Sequence, residues 1–320
     1  MDKLYDLIIV GGGAAGLTAG LFASRRGLST LILSSDLGGQ AGITPDIANY
    51  PGLPLTEGAK LMELFAAQAE KTGAKIVYET TASVHKANGL FFVATLTKKY
   101  QANSIILAFG KTPNDLEVPG ETEFRDQIYH HIPKNHPKYS NVVVVGGGNS
   151  AVTFANAVAK NAEKVYLVCR TSELKSEAVL LKELSKRKNI EVIYDASVVA
   201  VEGSSNLNSV KILHQDVEKN IPASAVFVAV GYSNKTDWVK QLVAVDKLGQ
   251  IIIQPDCSTS TEGVFAAGDV TTMPYKQVVI SAGEGAKAAI AAHQYLSSKA
   301  GKAAPLIDWG KQKSVKRSKK

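Results

Sequence analysis

A glycine-rich turn near the start of the chain constrains the fold more than any other feature. Its glycines, Gly11, Gly13 and Gly16, follow the continuous apolar run 7–10 and precede a helical pattern that ends near residue 26. A run that is apolar on every side suits a strand of a parallel sheet covered on both faces. The glycines permit a tight turn and let the backbone approach a pyrophosphate at the positive end of the helix. The pattern therefore predicts a βαβ unit that binds a dinucleotide.

The same pattern recurs in the middle of the chain. Gly146, Gly148 and Ala151 follow the valine-rich segment 141–145 and open a second helical pattern. Alanine at the last position still allows close packing of the helix on the strand. Two such sites suit a bound flavin and a diffusing nicotinamide, because hydride transfer needs a donor and an acceptor. We therefore predict an α/β fold of two doubly wound, Rossmann-like dinucleotide-binding domains, the second inserted into the first.

Length and composition fit this arrangement. The chain has 320 residues, of which 45% are hydrophobic and 20% charged, as in an ordinary globular protein of about two domains. We expect a flavin domain over 1–115 and 241–300, a nicotinamide domain over 116–240, and a basic tail over 301–320. No apolar run approaches the roughly 20 residues of a membrane span, and the strand-like N-terminus leaves no room for a signal peptide. The expected location is the cytoplasm.

The net charge of +7 comes largely from the tail, where six of the last ten residues are lysine or arginine. The body of the chain is therefore close to neutral, and a nucleic-acid-binding domain is not indicated. Such a tail is a solvated solubility element, a docking segment for an acidic partner such as a small electron carrier, or a contact to nucleic acid or membrane.

A third motif, Gly268-Asp269, closes the strand pattern that begins at 263. A carboxylate at this place can accept a hydrogen bond from a ribityl or ribose hydroxyl, as acidic residues do in dinucleotide sites. The alanine-rich pattern that follows predicts a long helix to about residue 298. Asp269 is also expected to be the N-cap of that helix, a role compatible with the first.

The ordered set of motifs resembles the low-molecular-weight thioredoxin reductases over roughly residues 5–298. The resemblance implies FAD in one domain, a nicotinamide nucleotide in the other, and a homodimer. The segments that carry it are Gly11–Gly16, Gly38–Gln40, Asn49–Gly52, Ala108–Gly110, Gly146–Ala151, Gly231–Asn234, Gly263–Val270, Lys276–Gln277 and Ser281–Gly283.

The resemblance also implies which residues contact each cofactor. The expected FAD contacts are Gly11, Gly13, Ala14, Ala15, Gly16, Gly38, Gly39, Gln40, Asn49, Val84, Gly268, Asp269, Lys276, Gln277 and Val278. The expected contacts of the nicotinamide nucleotide are Gly146, Gly148, Asn149, Ser150, Arg170, Lys175 and Gly231.

The redox-active Cys-x-x-Cys of that family is missing. Counting back from the strand that begins near Val142, the two cysteines would stand at Tyr129 and Ile132. Neither residue can form a disulfide or a thiolate adduct with flavin. The two cysteines of the chain, Cys169 and Cys257, match no metal or redox spacing, and no metal site is predicted.

Three other residues are weak candidates for a catalytic role. His130 and His131 have the pKa range for acid–base work near neutral pH, so they either form a proton relay or are solvated in a polar linker. Trp309 either stacks on the isoalloxazine, as C-terminal aromatics do in related cysteine-free flavin reductases, or anchors the tail on the surface. Phe109 either contacts the edge of the flavin or packs in the core.

The nucleotide preference depends on the segment after the second strand of the inserted domain. NADPH-specific relatives carry His-Arg-Arg and a further arginine that grip the 2′-phosphate, whereas this chain has Cys169-Arg170-Thr171 and Lys175. Fewer fork-like donors remain for a phosphate. NADH, or use of both nucleotides, is therefore slightly favoured over strict NADPH use, and loss of nicotinamide use is the alternative.

The sequence thus predicts an FAD-dependent NAD(P)H oxidoreductase whose reduced flavin passes electrons directly to an acceptor. A ferredoxin- or flavodoxin-type carrier is the leading candidate, because the cysteine-free ferredoxin–NADP reductases share this architecture. The short loop between Gln40 and Asn49 is nevertheless closer to the thioredoxin reductases. The alternatives are a thioredoxin-disulfide reductase-like enzyme with a thiol supplied in trans, and a non-catalytic flavoprotein.

Overall fold

The computed structural model describes residues 3–133 and 137–304, which belong to two compact units. The inserted unit spans Thr112–Ser233, and the other unit takes the chain on either side of it. The sequence placed the boundaries at 116 and 240, a few residues further along. The two-residue strands at Thr112–Pro113 and Tyr232–Ser233 explain the difference, because they pair with each other and so belong to the inserted unit. Strands this short leave no periodic pattern in a sequence.

The first unit is built on a seven-stranded sheet in the order β3-β2-β1-β6-β5-β4, with β17 also paired to β6. Its strands are β1 (Leu4–Val10), β2 (Thr30–Ser34), β3 (Lys75–Tyr78), β4 (Thr81–Ala87), β5 (Leu90–Thr95), β6 (Lys99–Leu107) and β17 (Val264–Ala266). Its helices are α1 (Ala14–Arg25), α2 (Gly39–Gly42), α3 (Gly58–Lys71) and α6 (Val278–Lys299).

The continuous apolar run of β1 has a direct structural cause. Leu7 and Ile9 are buried in the core beneath α1, α3 and α6, whereas Ile8 and Val10 are buried in a second core on the opposite face of the sheet. Alternate side chains of a strand point to opposite faces, so a strand covered on both sides is apolar at every position. β1 pairs in parallel with β2 and β6, and β17 with β6, which brings their carboxyl ends to one edge.

The inserted unit repeats this construction. Its main sheet has the order β11-β10-β9-β15-β8, beside a three-stranded sheet β12-β13-β14 and the pair β7-β16. The strands are β7 (Thr112–Pro113), β8 (Ile128–Tyr129), β9 (Tyr139–Val145), β10 (Ala162–Val168), β11 (Ile190–Ile193), β12 (Ala196–Gly203), β13 (Leu207–His214), β14 (Val217–Pro222), β15 (Ala225–Val228) and β16 (Tyr232–Ser233), and the helices are α4 (Asn149–Val158) and α5 (Ala178–Leu184).

The predicted pair of Rossmann-like units is confirmed, because each glycine-rich turn joins a buried parallel strand to a helix. Short 3₁₀ helices also occur at Arg125–Gln127 and Asp237–Val239. Among the residues that the structure describes, no helix combines the length and the apolar character that a membrane crossing needs.

The core of the inserted unit depends on Phe227 of β15. Its side chain is fully buried, and its ring stacks on Tyr129 at a centroid distance of 5.1 Å. We expect Phe227→Ala to lower the free energy of unfolding by about 3–5 kcal/mol, because it removes a buried aromatic ring and leaves a cavity. Val179→Ala, at an exposed position of α5, should change it by less than about 0.5 kcal/mol. Urea-induced unfolding followed by circular dichroism checks both values, and equal stabilities of the two variants would contradict this packing.

Candidate functional site

The glycine turn after β1 admits no side chain at two positions. Gly11 has a φ of 114°, and a Cβ there would overlap the carbonyl oxygen of Ala108 at the end of β6. A Cβ on Gly16 would overlap the carbonyl oxygen of Gly11. Glycine is needed at residue 11 because the backbone there has a positive φ, and at residue 16 because α1 packs directly on the turn.

The outer side of the same turn is open. Gly13 is the N-cap of α1, and none of the described side chains caps this helix. The nearest atom to a Cβ on Gly13 would be the carbonyl oxygen of Gly38, at 3.7 Å. The Gly38 N–H in turn donates to the carbonyl oxygen of Gly12 at 2.8 Å, which docks the segment before α2 on the turn. The uncapped N–H groups at the positive end of α1 form a cradle that fits a pyrophosphate.

Asp269 lies in the segment between β17 and α6 and does not cap the helix. The expectation that it would do so is wrong, because α6 begins at Val278 with Gln277 as its N-cap. The Thr272 N–H donates to the carbonyl oxygen of Ile251, and this contact holds the intervening chain out of the helix. The Asp269 carboxylate instead accepts a hydrogen bond from Ser281 Oγ at 3.1 Å, beside the first turn of α6.

The start of α6 collects further residues that the sequence assigned to the flavin. Asn49 Nδ2 donates to Gln277 Oε1 at 3.0 Å, although 228 residues separate the two. Lys276 Nζ donates to the carbonyl oxygen of Thr271 at 2.8 Å, and burial lowers the pKa of this lysine. Val278 is the first residue of the helix. Two segments that are distant in sequence therefore meet at one helix terminus.

Val84 differs from the other expected flavin contacts. It lies on β4 opposite Val93, and its side chain is buried in the apolar core. Any contact between Val84 and a cofactor would therefore come from its backbone. Gln40 lies in α2, where its carbonyl oxygen accepts a hydrogen bond from Thr44 Oγ1 at 2.8 Å.

The second glycine turn, after β9, has the same construction. Gly146 has a φ of 140°, and a Cβ there would overlap the carbonyl oxygen of Ala229. A Cβ on Gly147 would overlap the sulfur of Cys169, so that cysteine packs directly on the turn. Gly148 is the N-cap of α4, and apart from its chain neighbours and the helix backbone, none of the described residues comes within 4 Å of the place of its Cβ. The side of the turn that would receive a nucleotide is open.

The Asn149 side chain is occupied by the segment before α5. Its Oδ1 accepts hydrogen bonds from Ser176 Oγ and from the Glu177 N–H, both at 2.9 Å. Its Nδ2 donates to Glu177 Oε1, also at 2.9 Å. Sequence reasoning named Asn149 as a nucleotide contact but missed Ser176 and Glu177, because this network forms only when residues far apart in sequence meet.

The remaining nucleotide candidates lie around this network. Lys175 is tied to the turn through its backbone, since its N–H donates to the carbonyl oxygen of Gly147 at 2.8 Å. Arg170 and Ser150 are exposed. Gly231 follows β15 with a φ of 95°, and its carbonyl oxygen accepts the Asn114 N–H at 3.0 Å. The structure thus gathers part of the predicted set around the turn and leaves Arg170 and Ser150 available to a ligand.

Tyr129 and Ile132, which the sequence analysis matched to the redox cysteines of related enzymes, have a packing role in this chain. Tyr129 lies on β8 with its ring stacked on Phe227, and Ile132 packs against the same core. Burial, together with the neighbouring Tyr129, raises the pKa of Tyr139 to about 12. These groups form an apolar wall with no reactive sulfur.

The two histidines of this segment are half-buried, and His130 has a charged neighbour. His130 Nε2 lies 3.1 Å from Asp115 Oδ1, which is also 3.8 Å from Arg125 Nη1. His130 Nδ1 is buried and has no hydrogen-bond partner in the described part of the chain. Burial, together with the adjacent His130, lowers the pKa of His131 and favours its neutral form.

Both cysteines are buried and unpaired. Burial raises the pKa of Cys257 to about 12, so its thiol stays protonated near neutral pH. Phe109 packs against Trp238 with ring centroids 5.0 Å apart, whereas Trp309 lies outside the described residues. Within 3–133 and 137–304, no three or more His, Cys, Asp or Glu residues are grouped so that they could hold a metal ion.

Two glycine-rich dinucleotide cradles, one in each unit, define a flavin- and nicotinamide-dependent oxidoreductase. The chain belongs to the pyridine nucleotide-disulphide oxidoreductase family, which it matches over residues 5–294. It is similar to an alkyl hydroperoxide reductase component of Escherichia coli (strain K12), with 36% identity over 304 residues that cover 91% of this chain. The chain spans only 58% of the length of that relative.

Two further similarities extend along nearly the whole chain. A thioredoxin reductase structure from Lactococcus lactis superposes with a TM-score of 0.84 and 27% identity, covering 92% of this chain and 99% of that one. A 34.2 kDa protein in the rubredoxin operon of Clostridium pasteurianum is 30% identical over 305 residues, which are 93% of this chain and 99% of the relative. The resemblance to thioredoxin reductases is confirmed, and the family implies FAD and a pyridine nucleotide.

The contact at Gly11 gives a direct test of the first cradle. We expect Gly11→Ala to lower the flavin content of the purified protein to about one tenth or less, because the new Cβ overlaps the end of β6. Gly89→Ala is the matched control, since Gly89 has a φ of 78° but, among the described residues other than its chain neighbours, no heavy atom within 4 Å of its Cβ position. The ratio of flavin to protein absorbance checks both variants, and normal flavin content in Gly11→Ala would place the cofactor elsewhere.

Proposed function

We propose that this chain is an NAD(P)H oxidoreductase whose bound FAD passes electrons directly to a small electron-carrier protein of ferredoxin or flavodoxin type. The observation that carries the proposal is the wall at Tyr129 and Ile132, which packs with Phe227 where a disulfide would be needed. Cys169 and Cys257 cannot replace that disulfide, because both are buried and they are not bonded to each other. The Cys169 sulfur contacts Thr171 Oγ1, and the Cys257 thiol donates to the carbonyl oxygen of Glu284.

The residues of the chain suggest how the cofactors would be held. The open turn around Gly13 and the uncapped end of α1 suit the FAD pyrophosphate, and the Asp269 carboxylate suits a ribityl hydroxyl. Gly148 and the open end of α4 suit the pyrophosphate of the nicotinamide nucleotide. Bound FAD would accept a hydride from the nucleotide and release the electrons onward. The protein would supply alignment and exclude water.

We also propose NADH, or both nucleotides, as the electron source. Arg170 is exposed and available to a phosphate, but the next residue is Thr171, whose hydroxyl donates to the carbonyl oxygen of Glu173 at 2.7 Å. A single guanidinium therefore stands where NADPH-specific relatives carry a pair. With fewer arginines to bind the 2′-phosphate, NADPH gains less affinity over NADH.

The carrier class has two supports. A relative with 30% identity is named for its place in a rubredoxin operon, and rubredoxin is an electron carrier. Six of the last ten residues are cationic, which would attract an acidic carrier. By resemblance, the enzyme is a homodimer, and sedimentation velocity checks this state.

Anaerobic stopped-flow mixing tests the electron source and the acceptor. We expect NADH to bleach the flavin absorbance at least as fast as NADPH, and the reduced enzyme to reduce ferredoxin or flavodoxin but not a thioredoxin disulfide. Turnover with an acidic carrier should fall as salt is added, because screening weakens the attraction. Failure of both nucleotides to reduce the flavin would contradict hydride transfer, and disulfide reduction by the purified chain alone would contradict the acceptor.

A variant without cysteine tests the absence of a thiol relay. In Cys169→Ser the hydroxyl can keep the contact to Thr171 Oγ1, and in Cys257→Ala a fully buried thiol is removed. We expect the double variant to keep carrier reduction within about twofold of wild type, because neither sulfur takes part in electron transfer. Loss of carrier reduction in a variant that still holds flavin and is still bleached by nucleotide would contradict the proposal.

A further inference from the structure

Glu284 lies in the second turn of α6, and its carboxyl group is buried. The residue is only 2% exposed. Its Oε2 accepts the backbone N–H of Gly268 at 2.7 Å and lies 3.4 Å from Thr271 Oγ1. Its Oε1 is buried and has no hydrogen-bond partner among the described residues. A buried acceptor without a partner costs free energy, whereas Oε2 satisfies the buried Gly268 N–H, so the contribution of this carboxyl group lies in its contact with the turn.

Through its hydrogen bond to Gly268, Glu284 contacts the turn that contains Asp269. Thr271 Oγ1 donates to the carbonyl oxygen of Gly268 at 2.8 Å, so the hydroxyl and the Glu284 carboxyl close the turn 268–271 from both sides. Gly268 has a φ of 83°. Asp269 follows it directly and is fixed on its other side by Ser281 of the same helix. Glu284 and Ser281 thus hold the Gly268–Asp269 pair against α6.

The same residue lies beside the contact between α6 and the first glycine turn. Gly285, the next residue, packs on the backbone of Ala15 so closely that a Cβ would overlap the Ala15 carbonyl oxygen. A Cβ on Gly268 would lie 2.9 Å from the Ala15 side chain. The turn, α1 and α6 therefore meet without space between them, and a shift of the turn moves Asp269 relative to the cradle at Gly13.

We propose that Glu284 is a positioning residue for FAD, which fixes the Gly268–Thr271 turn so that the Asp269 carboxylate meets the ribityl chain. The proposal rests on the placement of FAD given under the proposed function and adds a residue that would not touch the cofactor. Burial raises the pKa of Glu284 and favours its neutral form, for which glutamine is a close replacement. The hydrogen bond to Gly268 requires an acceptor oxygen, which glutamine has and methionine lacks.

Binding titrations on the apoprotein test this role without any electron acceptor. We expect Glu284→Met to weaken FAD binding by about tenfold or more, because the buried Gly268 N–H loses its acceptor. The affinity of ADP-ribose, measured by its competition with FAD so that it reports on the FAD cradle alone, should stay within about twofold of wild type, because ADP-ribose has the pyrophosphate but no ribityl chain. Glu284→Gln should restore FAD affinity to within about threefold of wild type, because the amide oxygen replaces Oε2.

Two further variants separate positioning from a general loss of stability. Thr271→Val removes the hydroxyl that closes the same turn and should weaken FAD binding in the same selective way. Asn156→Leu is the matched control in α4, since Asn156 is 4% exposed and its Oδ1 also has no partner in the described part of the chain. It should lower the melting temperature but leave FAD affinity unchanged.

These binding measurements do not depend on the identity of the electron acceptor. The role of Glu284 can therefore fail while the proposed carrier reduction holds, and the reverse is also possible. Wild-type FAD affinity in both Glu284→Met and Thr271→Val would overturn the proposal. So would an equal loss of FAD and ADP-ribose binding, which would mean that the whole cradle had collapsed. If Glu284→Met does not fold, the comparison of Glu284→Gln and Thr271→Val decides in the same way.

Discussion

The close approach of a bare backbone to the ends of parallel strands is the constraint on which the rest of the molecule depends. At Gly11 and Gly146 any side chain would overlap the carbonyl oxygen of the residue directly after a neighbouring strand, Ala108 after β6 and Ala229 after β15. The helix that follows each turn can therefore start directly at the edge of the sheet, with its uncapped N–H groups available to a phosphate. Both dinucleotide cradles, and hence the oxidoreductase chemistry of the family, follow from this one geometric requirement.

The departure from the thioredoxin reductase pattern at Tyr129 and Ile132 leaves the first glycine turn and its surroundings intact. The flavin cradle keeps its glycine turn, its Asp269 and the convergence of Asn49 with Gln277 at α6. At Tyr129 and Ile132, where the sequence analysis expected the redox cysteines, the side chains pack in an apolar core, and the Tyr129 ring stacks on Phe227. Without a disulfide relay, the reduced flavin would itself deliver the electrons. The acceptor would then be a molecule that can approach the flavin directly.

Local patterns in the sequence were sufficient for the strands, the glycine turns and the doubly wound fold. The run 7–10 and the glycines after it are contiguous, so their meaning does not depend on distant residues. Contacts over long distances were not predictable. Asp269 was expected to cap a helix, yet a backbone contact to Ile251 delays the start of α6 by several residues. His130 was given a solvated alternative, yet the fold brings Asp115 to its ring.

The most direct test of the central claim counts the electrons that each flavin-bearing chain accepts. An anaerobic dithionite titration of the purified protein, followed by flavin absorbance, gives this number without any partner. If the flavin is the sole redox centre, two electrons per FAD complete the reduction and further reductant accumulates unused. Uptake of four electrons per FAD would reveal a second two-electron centre of the disulfide type and would contradict the account.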